Sequence, residues 1–378
     1  MKVEDAVVRK ILDSRGRWTV EVQLKLDGRW FKASVPAGKS RGKHEAVQLP
    51  AEKSLRRFPE FRERLVGRAF PTQEDFDDFL AGISGENKEK FGVDLVLAAS
   101  IAFSRRGLKP KSLPTPMLNL INGGLHAGGE LAVQEFMVVP LKFESFREKL
   151  EAAVTIYRAL GELLLKKYGP GSVNVGDEGG FAPPLKTTHE ALSLLEEAVG
   201  EAGLLDRVRL SIDCAASSYF RGGKYHLDGR ALGRGEYIDF LSRISRSFHL
   251  YSVEDPLHEE DFRGFSEFLS KSDSLVVGDD LTVTDLWRVR KAFDARAINA
   301  VIVKPNQVGT VTEVLRVIEF CRKNGLKWVV SHRSGETTDT FIADFAAATS
   351  SPFIKAGAPC RGERTAKYNR LLELEGKL

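Results

Sequence analysis

Over the first 35 residues apolar and polar positions alternate. Val20, Val22, Leu24 and Leu26 form one apolar row, Asp27-Gly28 supplies a hairpin turn, and a second run extends from Trp30 to Val35. A period of two closed by such a turn predicts a small antiparallel meander. Across residues 45–106 the apolar steps lengthen to three and four between charged faces, which predicts helices. Residues 107–116 hold three prolines and no period. They divide a smaller N-terminal α+β domain, residues 1–108, from a larger C-terminal one, residues 109–378.

The larger part is more regular. Short β-branched runs at 208–212, 249–253, 274–278, 300–303, 326–331 and 353–354 alternate with helical segments at 189–203, 237–248, 285–293 and 311–323. This alternation predicts an α/β fold with parallel strands, and the number of units favours a closed β/α barrel over an open sheet.

The residues that close each strand are informative. In order, the runs end in Asp213, Glu254-Asp255, Asp279-Asp280, Lys304, His332-Arg333-Ser334 and Lys355. The C-terminal ends of barrel strands converge on one mouth, so these groups are expected to share a cavity. Clustered charges are costly unless something binds them. Asp213, Glu254 and Asp279 come from neighbouring strands with no His or Cys among them, a donor set for a hard cation, Mg²⁺ before Zn²⁺. The bland alternative is that they pair with Lys304 and Lys355 in a structural network. Lys304, near a cation and a second lysine, is expected to have a depressed pKa and to accept a proton. Arg333 and Ser334 together suit a phosphate. The glycine-bounded loop from Gly38 to Gly42 could close over a phosphate, or could be an ordinary turn.

Composition narrows the class. The chain of 378 residues is 42% hydrophobic and 29% charged, as a soluble globular protein is, and its length suits a barrel with a smaller domain. Its net charge of +4 is spread among mixed signs, which argues against nucleic acid. No apolar run is long enough to span a membrane, and MKVEDAVVRK lacks the apolar stretch of a signal peptide. Cys214, Cys321 and Cys360 show no CxxC spacing, which excludes a zinc site or disulfide framework and predicts a cytoplasmic location.

The segments ILDSRG, LINGGLHAGGELAVQEFM, VNVGDEGGFAP, SIDCAASSYF, SVEDPL, VGDDLTVT, VKPNQVGT, VSHRSGETTDTFIADF and IKAGAPCRGER resemble the enolase family, in its order and across essentially the whole chain. The resemblance implies an enolase-type β/α barrel and the reversible dehydration of 2-phosphoglycerate to phosphoenolpyruvate. It implies two Mg²⁺ per site, the first on Asp213, Glu254 and Asp279 and the second arriving with substrate on Ser40. Lys304 would be the base at C2, and Glu178 the acid that expels the C3 hydroxyl, supported by Glu135. Gln134, His332, Arg333, Ser334 and Lys355 would contact the substrate, with His126 and Ser40 on mobile loops. A homodimer or larger homo-oligomer is also implied. Arg17-Trp18 and the basic loop Lys39-Ser40-Arg41 depart from the family pattern, and the first domain is short. A racemase or cycloisomerase of the same superfamily would share the carboxylates and lysine but leave Glu178 and the Arg333-Ser334 pair without a role. A relative kept only for binding a macromolecule would show an eroded mouth, and every expected group is present.

Overall fold

A computed structural model describes residues 1–38 and 42–378. The N-terminal sheet is the expected meander: β1 (Val3–Leu12), β2 (Trp18–Leu26) and β3 (Arg29–Ser34), antiparallel in that order. Asp27 and Gly28 turn the β2–β3 hairpin at φ 44 and 81, the doubly positive pair that a tight hairpin turn needs. Val20, Val22, Leu24 and Leu26 are buried. Three helices come next, Ala51–Leu65, Gln73–Ser84 and Val93–Ser104. The first two carry the expected charged faces. The third does not, because every one of its residues is buried between the sheet and the barrel.

The two parts are joined by hydrogen bonds as well as apolar packing. Helix Val311–Lys323 of the barrel presents its unpaired N-terminal N–H groups to the N-terminal domain. There Val311 N–H donates to Ser100 Oγ (2.9 Å) and Thr312 N–H to the buried Asp77 carboxylate (2.8 Å).

The barrel strands are β4 (Thr115–Asn122), β5 (Glu135–Pro140) and β6 (Val208–Asp213), and then, after a three-stranded flap β7–β9 (Phe220–Arg221, Lys224–Leu227, Arg230–Leu232), β10 (Ser252–Glu254), β11 (Leu275–Gly278), β12 (Ala300–Val303), β13 (Lys327–Ser331) and β14 (Phe353–Lys355). They close in the order β10-β11-β12-β13-β14-β4-β5-β6. The expectation of parallel strands needs one correction. β5 runs antiparallel to both β4 and β6, because the β4–β5 connection forms only a four-residue helix, Gly124–Ala127, where a parallel neighbour would require a full crossover. The reversal puts the start of β5, rather than its end, at the mouth: Glu135 pairs with Asn122 and Asp213, the last residues of β4 and β6. Lower in the barrel, Met117, Met137, Val139, Val277, Ile302, Val329 and Phe353 form an apolar cluster separate from the main core. Polar chemistry is thereby confined to one end. Among the described residues no helix is long and apolar enough to cross a membrane.

Candidate active site

Glu135, Asp213 and Glu254 lie side by side in register on β5, β6 and β10. Lys355, at the end of β14, reaches across the barrel to all three. Its Nζ lies 3.1 Å from Glu135, 3.1 Å from Asp213 and 2.9 Å from both Glu254 oxygens. Burial disfavours the ammonium, but Asp213, Glu135 and Glu254 outweigh it and hold Lys355 well above the ordinary lysine value. The Glu254 carboxyl is also pushed up, to about 8, by burial and by Asp213, a shift that for an acid favours the neutral form.

Lys304 comes directly after β12 and forms an ion pair with Asp279, which comes directly after β11. The pair is held from behind. Asp279 Oδ1 accepts from Gln307 Nε2 (3.1 Å), Gln307 Oε1 from Thr284 Oγ1 (2.6 Å), and Thr284 Oγ1 from Lys304 N–H (2.9 Å). The expected depression of Lys304 is not found. Burial does act downward, but the Asp279 carboxylate outweighs it and holds Lys304 above its ordinary value. Asp255, at φ 38, accepts the N–H groups of Asp279 (2.9 Å) and Asp280 (2.7 Å), so its carboxylate orders the backbone after β11. Asp280 is pushed up to about 7 by burial and by Asp279.

Glu178 lies on the loop whose Phe181 bridges to Ile121 of β4. Its Oε2 accepts from Asn119 Nδ2 (3.1 Å) and faces His332 Nε2 at 3.4 Å. His126 Nδ1 lies between the two glutamates, 3.5 Å from Glu178 and 3.7 Å from Glu135. Burial opposes charge on both carboxyls, with different outcomes. The imidazoles of His332 and His126 and the Arg364 guanidinium hold Glu178 well below the ordinary range. Burial and the Glu178 charge push Glu135 well above it. The two neighbouring carboxyls are thus driven apart in proton affinity.

Arg333 is engaged in a way the sequence does not suggest. Its guanidinium grips Glu45 with both ends, Nη1 at 2.9 Å and Nη2 at 3.1 Å, and Nη1 also donates to Asn306 Oδ1 (3.2 Å). Glu45 Oε1 accepts Gly42 N–H (3.0 Å) as well. Backbone pairing of Ala37 with Gly335 brings the same N-terminal loop onto this site, and a Cβ at Gly335 would lie 2.7 Å from Ala37 O. Gln134 Nε2 lies 3.5 Å from Asp213. Gly38, His126, Gln134, Glu135, Glu178, Asp213, Asp279, Lys304, His332, Arg333, Ser334 and Lys355 all line one cavity, which Glu254 adjoins through Lys355. Ser40 lies outside the described residues. Volume is no guide to this site. A groove of about 680 Å³ opens beside the N-terminal sheet, but its charged groups already pair with one another, as Arg9–Glu21 and Arg105–Asp339 do.

The chain matches the family descriptions "Enolase, N-terminal domain" over residues 3–116 and "Enolase, C-terminal TIM barrel domain" over residues 110–378. It is 41% identical to the enolase of Methanocaldococcus jannaschii, covering 100% of this chain and 96% of that one. It is 42% identical to the enolase of Aeropyrum pernix, covering 98% and 93%. The chain belongs to the enolase family. Its activity is accordingly that of phosphopyruvate hydratase, a lyase of glycolysis, acting on a small phosphorylated substrate.

The family uses Mg²⁺, and the donors of this enolase suit such an ion: they are oxygens, buried, and more numerous than the cations among them. Asp255, Asp279 and Asp280 bring oxygens within 4.8 Å of one another, as do Glu135 and Glu178 with a nitrogen of His126. Asp213, Glu254 and Asp279 do not form such a group, because ammonium groups stand among them, Lys355 on the first two and Lys304 on the third. Glu45, Thr284, Asn306, Gln307 and Arg364 belong to the site but carry no strand-end signal. Of these, Thr284, Asn306, Gln307 and Arg364 fall inside motif blocks, in VGDDLTVT, VKPNQVGT and IKAGAPCRGER, and Glu45 falls in none.

Proposed function

We propose that this enolase dehydrates 2-phosphoglycerate reversibly, with Lys304 as the base at C2 and Glu178, supported by Glu135, as the acid at the C3 hydroxyl. The observation that carries the reading is that one cavity is lined by a lysine, a carboxyl pair of opposed proton affinity, and the Arg333 guanidinium. Lys304 must part from Asp279 before it can accept a proton, since that contact keeps it protonated. Glu178 has the lower proton affinity of the two carboxyls and Glu135 the higher, so Glu135 would help return to Glu178 the proton that expels hydroxide, with His126 between the two. Arg333 and Ser334 bind the phosphate; Gln134, His332 and Lys355 orient the remainder, the Lys355 ammonium countering charge that builds on the substrate carboxylate. Asp213, Glu254 and Asp279 would hold one Mg²⁺ and Ser40 a second, which would supply further positive charge for that carboxylate. We assign the protein to the cytoplasm as a homodimer or larger homo-oligomer, a location in keeping with three cysteines that are all free.

NMR of 2-phosphoglycerate in D₂O tests these roles. Folded, Mg²⁺-loaded Lys304→Ala should neither form product nor exchange the C2 proton. Glu178→Gln should lose product formation and keep exchange. Exchange persisting in Lys304→Ala removes it as the base, and turnover surviving in Glu178→Gln removes the acid.

A further inference from the structure

We propose that Arg364 is a positioning residue that locks His332 as the neutral Nε2–H tautomer, so that His332 serves the site only as a hydrogen-bond donor. Arg364 stands in the first turn of helix Gly362–Glu375 and is fully buried. Its Nη1 donates to His332 Nδ1 (2.7 Å) and to Arg333 O (2.7 Å), and its Nη2 to Ser334 O (2.7 Å) and Asp177 O (2.9 Å). A guanidinium has donors only and keeps its charge in proteins. Nδ1 of His332 must therefore be the acceptor, and the single ring proton lies on Nε2, facing Glu178 Oε2 at 3.4 Å. Turning the ring over would place carbon at both positions, losing the Arg364 hydrogen bond and the approach of Nε2 to Glu178, so the hydrogen bond at Nδ1 sets its orientation. An imidazolium would direct Nδ1–H at a cationic N–H. Of the charged groups facing the ring, Glu178 favours the imidazolium while Arg364 and Lys355 oppose it; burial decides, and the ring is pushed down to about 3.

An imidazole beside a leaving group would ordinarily be the first choice for a general acid. Here its one exchangeable proton is an N–H that stays on the ring, and the proton delivered to the substrate must come from the carboxyls. The same guanidinium ties the carbonyls of Arg333 and Ser334 to that of Asp177, and so sets the spacing between the phosphate-binding segment and the Glu178 loop. Gly357, at φ 85, makes room for it: a Cβ there would lie 2.9 Å from Arg364 Cδ and 2.6 Å from Glu178 O. The consequence for proton delivery rests on the role proposed for Glu178, whereas the tautomer does not.

The test is long-range ¹H–¹⁵N correlation on the full chain, ¹⁵N-labelled at histidine, in Mg²⁺ buffer, with His332 assigned through His332→Asn. The wild type should show Nδ1 unprotonated and Nε2 protonated, unchanged on either side of the ordinary histidine pKa of about 6.5. A protonated Nδ1, or a titrating ring, overturns the proposal. Arg364→Lys keeps a donor and should keep the signature. Arg364→Met should lose it and slow dehydration relative to C2 exchange by about 10- to 100-fold, the range found when the partner that orients a metal-site histidine is removed. A purely structural role would lower the melting temperature of both variants and leave the His332 signature of Arg364→Met intact, which also overturns the proposal. If Arg364→Met does not fold, the wild-type and Arg364→Lys spectra decide. Glu178→Gln is the separate control: if it still dehydrates 2-phosphoglycerate, the acid is wrong and the tautomer stands.

Discussion

Replacing Glu45 should expose how far the phosphate site is pre-charged. Glu45 and Arg333 form a two-ended ion pair whose side chains are 4% and 5% exposed, so neither charge is offset by bulk water. Removing one partner of such a pair leaves a buried charge alone, at about 3–5 kcal/mol. Glu45→Ala should therefore lower stability by that order, less whatever Asn306 retains. Glu45→Gln keeps one oxygen acceptor for the fork and should cost about 1.5–3 kcal/mol, the range for a hydrogen bond to a charged group. The assay is unfolding by heat and by urea in phosphate-free buffer, repeated with inorganic phosphate. An anion binding only the folded state adds about 2.7 kcal/mol at 100 times its dissociation constant. Phosphate should thus restore about half to nine-tenths of the loss in Glu45→Ala while shifting the wild type less, because there it must displace or share with a carboxylate. If Glu45→Ala unfolds with the wild type, or both respond equally to phosphate, Glu45 does not hold the guanidinium and the site is not pre-charged.

Exhaustive chelation should abolish turnover and Mg²⁺ should restore it, while Asp279→Ala should bind Mg²⁺ more weakly by titration calorimetry yet keep the wild-type far-UV spectrum; full activity without metal would contradict the carboxylate assignment. Because Glu254 is held up to about 8, Mg²⁺ uptake should release a proton below that pH and none above it, seen as a buffer-dependent binding enthalpy. Without metal the folded chain keeps a proton that the unfolded chain gives up near about pH 4.3, so Glu254 makes stability fall as pH rises from there to about 8. Asp77→Ala leaves Thr312 N–H without its acceptor and should cost about 1–3 kcal/mol by urea unfolding. Its kcat should stay unchanged in native buffer, and a kcat loss without a stability loss would place Asp77 in catalysis instead.

Strand ends are legible because a barrel converts position along the chain into position in space. Short β-branched runs closed by ionisable residues are enough to bring Asp213, Glu254, Asp279, Lys304, His332 and Lys355 to one mouth. The direction of β5 is not legible, since an antiparallel strand carries its functional residue at its start, where the strand-end rule does not look. Glu135 is visible only through resemblance. The proton affinity of Lys304 is half legible: Lys355 acts downward as expected, while the Asp279 carboxylate paired with Lys304 acts upward. Glu45 and Arg364 are hidden for a different reason: each acts from a separate segment, and nothing local to His44-Glu45 or Glu363-Arg364 distinguishes a buried clamp from a solvated charge.

Closure of the barrel fixes an order of events during synthesis. Phe353, Ile354 and Lys355 of β14 pair with Thr115, Pro116 and Met117 of β4, so the first barrel strand waits for the last. A chain not yet made that far has no partner for this edge of β4, and such an edge can pair with other chains. Glu135, Asp213 and Glu254 are by then already made, and the ammonium that neutralises them arrives only with β14. In an unburied, incomplete mouth these carboxyls would ionise at their ordinary values of about 4 and repel one another. A truncation ending before Lys355 should therefore form a loose, chaperone-bound species rather than a smaller barrel, and supplying divalent cation to it should compact that species by standing in for the missing lysine.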